Sequence, residues 1–347
     1  MIRKIFFIIL TAIILCGCTS TDKENLSLVK VDDENIGALC IDDNNIYYAS
    51  YDMNKDDIFP KNSFLKKIST NKNSTSETFY SFDTPLNISY INKFGNKFVI
   101  VADDLEKDIL YILENNELKE IYKSEIGNIN PSYSGDFLTW VDVNNNKVFM
   151  LDNKSDEIKE LGVNNLFMHK YERPYNFNQE TYVFTKMSDS DAVGISKISW
   201  KESKIEEVLN SIYNAHNNPK NEFIKPTDIE VNDSFIIWKE NSRKSSKILV
   251  YDIKNNETSS YDNKKIFGFV KASVLLNDKI FLFDEVGDYG IEYIDLKNKN
   301  VKDLTQILKT DDLTSFSPVY PYISKKGFIS RAYVENKGNY FIVMEGK

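Results

Sequence analysis

Few residues that could perform catalysis are available in this sequence of 347 residues. It contains two histidines, His169 and His216, and neither stands beside a serine or cysteine that could act as a nucleophile. A zinc site needs several His, Cys or carboxylate ligands at suitable spacing, and no such group stands out. The Gly-x-Ser-x-Gly motif of serine hydrolases and the glycine-rich phosphate-binding motifs are absent. The sequence therefore predicts no catalytic residue, no metal and no cofactor.

Two acidic segments match part of a calcium-binding loop. Asp189, Asp191 and Gly194 occupy the first, third and sixth positions of an EF-hand loop, but Trp200 stands where the bidentate glutamate belongs. The second segment, residues 142–146, reads Asp-Val-Asn-Asn-Asn and lacks the glycine. We interpret both segments as solvated hairpin turns.

One stretch combines aromatic rings with a guanidinium group, which is the chemistry of a binding surface. Residues 169–177 read His-Lys-Tyr-Glu-Arg-Pro-Tyr-Asn-Phe, and Tyr and Arg are frequent anchors of interfaces. The candidate surface consists of Tyr133, His169, Arg173, Tyr175, Tyr320 and Tyr322. Two interpretations stay open: the rings and Arg173 bind a partner, or the rings pack between structural units and Arg173 forms a structural ion pair.

Short runs of β-branched and aromatic residues, separated by Asn, Asp, Lys and Gly, fill the chain beyond residue 35. One kind of run recurs seven times at intervals of 39 to 53 residues, usually after a turn signal. These runs start at Ile46, Phe98, Phe137, Tyr182, Phe235, Ile280 and Phe328. Further strand-like runs follow each of them, which predicts units of four short strands.

A repeat of four short strands with a period of about 45 residues is typical of β-propeller blades. One such sheet cannot bury both of its faces, whereas sheets packed face to face around an axis do so. We therefore predict an all-β fold, a single propeller over residues 26–347 with seven blades, while six or eight stay open. The last unit has only three strands, so residues 26–31 are expected to supply its fourth strand and close the ring. The best helical candidate, residues 206–216, is interpreted as an insertion in one blade.

The third unit carries the pattern of a known repeat. Residues 130–138, Asn-Pro-Ser-Tyr-Ser-Gly-Asp-Phe-Leu, resemble the Pro-x-aromatic-Ser-x-Asp/Gly-apolar pattern of TolB-type propellers, and residues 317–328 are a looser copy. The resemblance implies a propeller whose partners bind where the loops leading into the blades meet the central channel. It implies an architecture and no particular activity, because proteins of one fold perform different functions.

The N-terminus has the pattern of an export signal. Arg3 and Lys4 precede an apolar run over residues 5–15, which is shorter than the about 20 residues of a membrane-spanning helix. The next residues, Leu-Cys-Gly-Cys at 15–18, resemble the processing box of bacterial lipoproteins. That resemblance implies that residues 1–17 are a cleaved signal peptide, that Cys18 is acylated, and that residues 18–25 form a tether. An uncleaved anchor, or cleavage without lipid, is the alternative.

Charge and cysteine content restrict the possible partners. The net charge is −9, and removal of residues 1–17 would leave −11. Binding to nucleic acid requires a clustered excess of Lys and Arg, so nucleic acid is excluded as a partner. With Cys18 acylated, Cys40 would be the other cysteine of the mature chain, so no internal disulfide is expected and Cys40 is predicted to be a buried apolar residue.

Together these features predict a monomeric binding or scaffold lipoprotein, anchored to the bilayer through acylated Cys18 on the extracytoplasmic face of the cell membrane. Its propeller loops would bind a protein, peptide or glycan partner. The alternatives are a carbohydrate-active enzyme, either a glycan lyase or a hydrolase, and an accessory lipoprotein of a transporter or signalling system. Two carboxylates about 5–10 Å apart in a concave pocket would favour glycosidase chemistry, whereas an aromatic rim would favour binding.

Overall fold

The computed structural model describes residues 25–42, 44–54, 56–70, 74–169, 172–187, 192–214, 225–241, 246–261, 270–284, 291–303, 322–324, 327–334 and 338–345. Within these ranges the regular structure consists of 28 β-strands. No helix in the described part of the chain is long and apolar enough to cross a membrane.

The strands form seven antiparallel sheets of four strands each. The first three sheets contain β2 (Ile36–Asp42), β3 (Asn45–Asp52), β4 (Asn62–Ser69) and β5 (Glu77–Ser81); β6 (Asn87–Phe94), β7 (Lys97–Asp103), β8 (Lys107–Glu114) and β9 (Glu117–Glu125); and β10 (Ser132–Ser134), β11 (Phe137–Asp142), β12 (Lys147–Asp152) and β13 (Ile158–Gly162). The next three contain β14 (Tyr175–Phe177), β15 (Glu180–Lys186), β16 (Ala192–Ser199) and β17 (Lys204–Asn214); β18 (Lys225–Val231), β19 (Phe235–Asn241), β20 (Ser246–Asp252) and β21 (Glu257–Tyr261); and β22 (Val270–Leu276), β23 (Lys279–Asp284), β24 (Ile291–Asp295) and β25 (Asn300–Asp303). The seventh contains β26 (Tyr322–Ser324), β27 (Gly327–Val334), β28 (Gly338–Glu345) and the first strand of the chain, β1 (Asn25–Val31).

Burial of the strands shows how the sheets pack. The second strands are covered on both faces: every residue of β11 is buried, and in β7 every residue except the first and the last. The fourth strands β9, β13 and β21 are mostly exposed. Strands covered on both sides are enriched in β-branched and aromatic residues, which explains the recurring apolar runs of the sequence.

Apolar clusters of the described residues join six of the seven neighbouring pairs of sheets. Separate clusters pack the seventh sheet on the first, the first on the second, the second on the third, and the fifth on the sixth, and one larger cluster joins the third, fourth and fifth. The first strands of successive sheets lie side by side, for example β2 beside β6 and β14 beside β18. This arrangement is a seven-bladed β-propeller, as the sequence predicted, with the first strand of each blade lining the central channel. Cys40 on β2 is fully buried, also as predicted.

Strand β1 closes the ring by completing the seventh blade. It pairs antiparallel with β28 over its whole length, from Asn25 opposite Glu345 to Val31 opposite Asn339. Val29 and Val31 are buried in the cluster that joins the seventh and first blades. The first and the last described strands of the chain are thereby held in one sheet, which confirms the predicted closure.

Strand direction divides the propeller into two faces. Because each blade is antiparallel, the linkers between blades and the hairpins between second and third strands share one face, which we call the linker face. The turns that join first to second and third to fourth strands share the other, which we call the turn face. β1 begins on the turn face and ends on the linker face, where β2 follows it.

Side-chain hydrogen bonds join neighbouring blades, whose first strands are not paired with one another. The Tyr51 hydroxyl accepts from the backbone N–H of Ile88 at 2.8 Å and donates to its carbonyl at 2.9 Å. The Asn176 amide of the fourth blade donates to the carbonyl of Ser132 in the third at 2.9 Å. These bonds satisfy backbone groups that would otherwise be buried without a partner.

The predicted helix over residues 206–216 is wrong. Residues 206–214 belong to β17, and 215 and 216 lie outside the described residues. The pairing of β17 with β16 shifts twice, around Ile195, and Ser211 has a φ of 57°. Because bulges interrupt the alternation of a strand, Val208, Leu209 and Ile212 all pack against the core at a spacing that resembles one face of a helix.

Candidate functional site

The innermost strand of the fourth blade is interrupted by extra residues. Leu166 forms a β-bridge with Thr185, and Tyr175 pairs with Tyr182. The chain therefore advances nine residues from Leu166 to Tyr175 while its partner strand β15 spans only three, from Tyr182 to Thr185. The backbone N–H of Phe167 donates to the carbonyl of Phe184 at 2.9 Å, which continues the pairing that begins at Leu166. Between Phe167 and Tyr175 the chain has seven residues, 168–174, opposite the single residue Val183, which is six more than regular pairing needs. We call residues 168–174 the blade-four insertion. The structure describes 168, 169 and 172–174 of it.

Arg173 of the blade-four insertion lies in the channel. Its charge acts on the hydroxyl of Tyr90 on β6 and on the carboxyl of Glu230 on β18, as well as on the neighbouring Tyr175. Tyr90 belongs to the second blade and Glu230 to the fifth, and only a position inside the ring is close to both. Among the described residues, no carboxylate oxygen lies within 4.0 Å of this guanidinium.

Two carboxyl groups of this site hold their protons unusually strongly. Burial raises the pKa of Glu172 to about 8, and the negative charge of Asp228 adds to that shift. Burial also raises the pKa of Glu230 to about 7, although a hydrogen bond from the backbone N–H of Leu275 and the charge of Arg173 favour its ionised form. Near pH 7 Glu230, the one of these two carboxyls on which the charge of Arg173 acts, is about half protonated, so it compensates that charge only in part.

The strand beside the insertion is irregular. β18 has a register shift between Thr227 and Glu230, and Asp228 within that shift has a φ of 55°. The carboxylate of Asp228 forms an ion pair of 2.5 Å with Lys239, whose side chain is 4% exposed. The bulge thus directs the carboxylate of Asp228 towards a buried cation on β19 and places its charge near Glu172. We refer to Tyr90, Glu172, Arg173, Tyr175, Asp228 and Glu230 as the channel cluster.

The structure separates the residues that the sequence nominated. Arg173 and Tyr175 belong to the channel cluster, and the Tyr175 hydroxyl hydrogen-bonds with the backbone of Val231 in the next blade. His169 is exposed, and its backbone N–H donates to the Glu172 carboxylate at 2.9 Å.

The other nominated tyrosines have different positions. Tyr133 packs edge-on against Phe94 at 4.6 Å and donates to the carbonyl of Gly135, near the turn face. Tyr322 is the first residue of β26. Tyr320 and Cys18 lie outside the described residues.

Sequence reasoning missed Tyr90, Asp228 and Glu230. A signal for Glu230 was present, because it stands between Ile229 and Val231 in a strand and is itself 2% exposed. Charged residues are almost never fully buried unless they are paired, so an acidic residue inside an apolar strand marks either a structural bond or a site. Glu230 has the structural bond: it accepts from the backbone N–H of Leu275 and from the Ser273 hydroxyl at 3.1 Å.

Metal binding has no support in the described ranges. No group of three or more His, Cys, Asp or Glu residues there could hold an ion. Asp142 accepts from the backbone and side chain of Asn145 at 3.2 and 2.9 Å, which closes the hairpin turn predicted for that segment. Asp252 and Asp295 close turns in the same way with Asn255 and Asn298. The other acidic loop, around Asp189, lies outside the described residues.

A separate cavity of about 310 Å³ lies on the first blade. Asp33 at its edge accepts hydrogen bonds from Tyr48 at 2.6 Å and Ser50 at 2.9 Å and forms an ion pair with Lys66. Burial disfavours ionisation of Asp33, but these hydrogen bonds outweigh it and hold its pKa below the usual range. The Asp33 carboxylate is therefore occupied in fixing the linker between β1 and β2 to the first blade.

Comparison with known proteins relates this chain to others through its fold. No protein-family model matches the sequence, and no curated protein matches it either. Among solved structures, the β-propeller domain of the trilobed protease from Pyrococcus furiosus, which has an open velcro topology, matches with a TM-score of 0.60 and 10% identity, covering 91% of this chain and 97% of that one. The shared feature is the propeller.

Two further propeller structures show how varied the matches are. YCF48, solved bound to a D1 peptide, matches with a TM-score of 0.55 and 11% identity, covering 93% of this chain and 97% of YCF48. An oligogalacturonate lyase in complex with manganese matches with a TM-score of 0.54 and 10% identity, covering 93% of this chain and 91% of the lyase. At such low identity these matches establish the fold alone.

Proposed function

We propose that the protein is a membrane-anchored binding module whose channel cluster receives a group from a protein or peptide partner. One observation carries this proposal: the blade-four insertion places Arg173 inside the ring, where no described carboxylate lies within ion-pairing distance. An arginine held this way presents a planar fork of hydrogen-bond donors. Arg173 and Tyr90 are both half-buried, so solvent still reaches them.

The neighbours in fold are consistent with a binding role. YCF48 was solved with a bound peptide, and the WD40 propeller domain of Doa1 matches with a TM-score of 0.53. A rigid ring that presents loops and a central channel suits recognition without covalent chemistry, because sites on rigid elements are held more accurately than sites on free loops.

The position of β1 supports membrane attachment from one side. Asn25, the first residue of β1, is on the turn face, a few residues after Cys18. If Cys18 carries lipid, the turn face is directed towards the bilayer and the linker face is directed away from it. Partners would then reach the channel from the linker face without obstruction by the membrane.

Replacement of the acylated cysteine tests the anchor. Cys18→Ala is expected to move the protein from the membrane fraction to the soluble fraction, because acyl chains contribute about 0.8 kcal/mol for each buried CH₂ group. Cys40→Ala is the matched control, since Cys40 is buried in the first blade. Fractionation followed by detergent partitioning measures the effect. Retention of Cys18→Ala in the detergent phase would remove the anchor from the proposal.

Replacement of Arg173 tests the binding role. Arg173→Gln is expected to weaken partner capture at least about tenfold, because a desolvated charged anchor typically contributes more than about 1.4 kcal/mol. Lys154→Gln removes the same charge from the turn face, where this side chain is 83% exposed, and is expected to leave capture unchanged. Quantitative capture from detergent-solubilised membranes compares the two. Equal capture by both variants would mean that Arg173 is structural.

A second candidate, a carbohydrate-active enzyme, is favoured by the raised pKa of Glu172, which is what a general acid requires. Its weakness is the second carboxyl. Glu230 is 2% exposed and already hydrogen-bonded to Leu275 of the next blade, so it is not accessible to a substrate. Acid–base hydrolysis needs two accessible carboxyls, and binding therefore ranks first.

A further inference from the structure

The surroundings of Arg173 restrict the charge of a ligand. The charge of the guanidinium acts on Tyr90 from the second blade, Tyr175 from the fourth and Glu230 from the fifth. Asp228 and Lys239 neutralise each other in their ion pair. Cys40 and Tyr133 are the groups that act on Tyr90 from the first and third blades, and the Asn92 amide donates to the Tyr90 hydroxyl at 3.2 Å.

We propose that the channel cluster binds the C-terminal carboxylate of a peptide, with Arg173 as its principal anchor; this inference rests on the binding function proposed above. A carboxylate matches the two parallel donors of a guanidinium. A chain terminus enters a channel end-on, whereas an internal segment would have to fold back inside the ring. The half-buried Tyr90 ring packs against the cluster between the second and third blades, and its exposed part would border the last side chain of the peptide.

The charge of the channel cluster favours a monoanion over phosphate. Arg173 supplies one positive charge beyond the Asp228–Lys239 pair, and the carboxyl on which that charge acts is Glu230. A ligand with one negative charge balances the guanidinium. A dianion would carry a second negative charge with no further cation of the cluster to balance it, and above pH 7 the ionised Glu230 would also repel that charge.

The same carboxyl groups make binding depend on pH. The pKa of Glu230 is near 7 and that of Glu172 is near 8, so both become negative as the pH rises from about 6 to 9. Ionisation of Glu230 places a further negative charge near Arg173, and ionisation of Glu172 adds one near Asp228. Affinity for a carboxylate is therefore expected to fall across this range, whereas the affinity of an uncharged ligand is expected to stay constant.

The experiment compares two dipeptides that differ in one charged group. N-acetyl-glycyl-alanine and its C-terminal amide are titrated into the full-length protein in detergent near pH 6, and the acid is compared with inorganic phosphate at pH 8, where phosphate is mainly a dianion. The acid is expected to bind at least about tenfold more tightly than the amide and more tightly than phosphate, as one charge-assisted bidentate contact predicts. Arg173→Gln is expected to abolish the difference, Arg173→Lys to retain part of it, and Lys154→Gln to leave it intact.

Each alternative result has a definite meaning. Equal binding of acid and amide to the unmodified protein would overturn the proposal without reference to any variant, so a folding defect of Arg173→Gln cannot obscure it. Tighter binding of phosphate would also overturn it and would identify a phosphate site. If Arg173→Gln still weakens partner capture while acid and amide bind equally, the binding function stands and the carboxylate assignment fails. If the acid is preferred but partner capture does not depend on Arg173, the carboxylate assignment stands and the proposed function fails.

Discussion

Val29→Asp is expected to lower the free energy of unfolding by about 4 kcal/mol, the largest effect we predict for a single substitution. Val29 is 3% exposed in the cluster that joins the seventh and first blades. The substitution removes buried apolar surface and places an unpaired carboxylate where β1 completes the ring. For a chain of this length, thermal unfolding is expected about 6 °C lower.

The neighbouring residue provides a matched control. Lys30 is exposed on the same strand, opposite Tyr340, and Lys30→Asp introduces the same side chain without a burial cost. Its effect is expected to stay within about 0.5 kcal/mol. Thermal denaturation followed by circular dichroism measures both variants. Identical transitions for the two would mean that the seventh blade is stable without β1.

Closure through β1 links the fold to the proposed function. The channel cluster draws residues from the second, fourth and fifth blades, and their separation is fixed only while the ring is closed. Opening the ring between the seventh and first blades would leave the other contacts between blades in place. The ring would no longer fix the distances across the channel. We therefore expect Val29→Asp to weaken partner capture as well, although Val29 lies far from Arg173 in the order of the blades.

The architecture could be predicted because it repeats. Each blade has a second strand that is covered on both faces. This burial selects β-branched and aromatic residues, which form the seven recurring runs from Ile46 to Phe328 in the sequence. The closing strand could be predicted by counting strands, because the last unit has only three and residues 26–31 belong to no other unit. Local periodicity failed at residues 206–214, where bulges altered the spacing of the apolar residues.

The channel cluster could be predicted only in part. Arg173 was identified from its residue type and its aromatic neighbours in sequence. Tyr90 and Glu230 are 83 residues before and 57 residues after it, and only ring closure brings the three together. The insertion that places Arg173 in the channel was invisible too, because it is defined by the pairing of Leu166 and Tyr175 with β15 rather than by composition.

Glu230→Gln is expected to stabilise the protein at pH 8 by about 3–4 kcal/mol and to have little effect at pH 4. Burial raises the pKa of Glu230 to about 7 in the folded protein, whereas an unfolded chain has a value of about 4.3. Between these values the folded state binds a proton that the unfolded state has released, so the contribution of Glu230 to stability falls as the pH rises from about 4 to 7. Glutamine resembles the protonated acid and removes this loss. Its carbonyl oxygen can still accept from the backbone N–H of Leu275.

The control for Glu230→Gln is Glu117→Gln, on the exposed strand β9, which is expected to leave the pH profile of unfolding unchanged. Denaturant unfolding at pH 4, 6 and 8 gives the comparison. A profile for Glu230→Gln that runs parallel to that of the parent would show that Glu230 ionises normally, and the expected fall in peptide affinity at higher pH would then lose the carboxyl that causes it. A flattened profile, with peptide affinity kept at higher pH in the same variant, would tie the charge of Glu230 to both stability and binding, because one proton on this carboxyl acts on the fold and on Arg173 together.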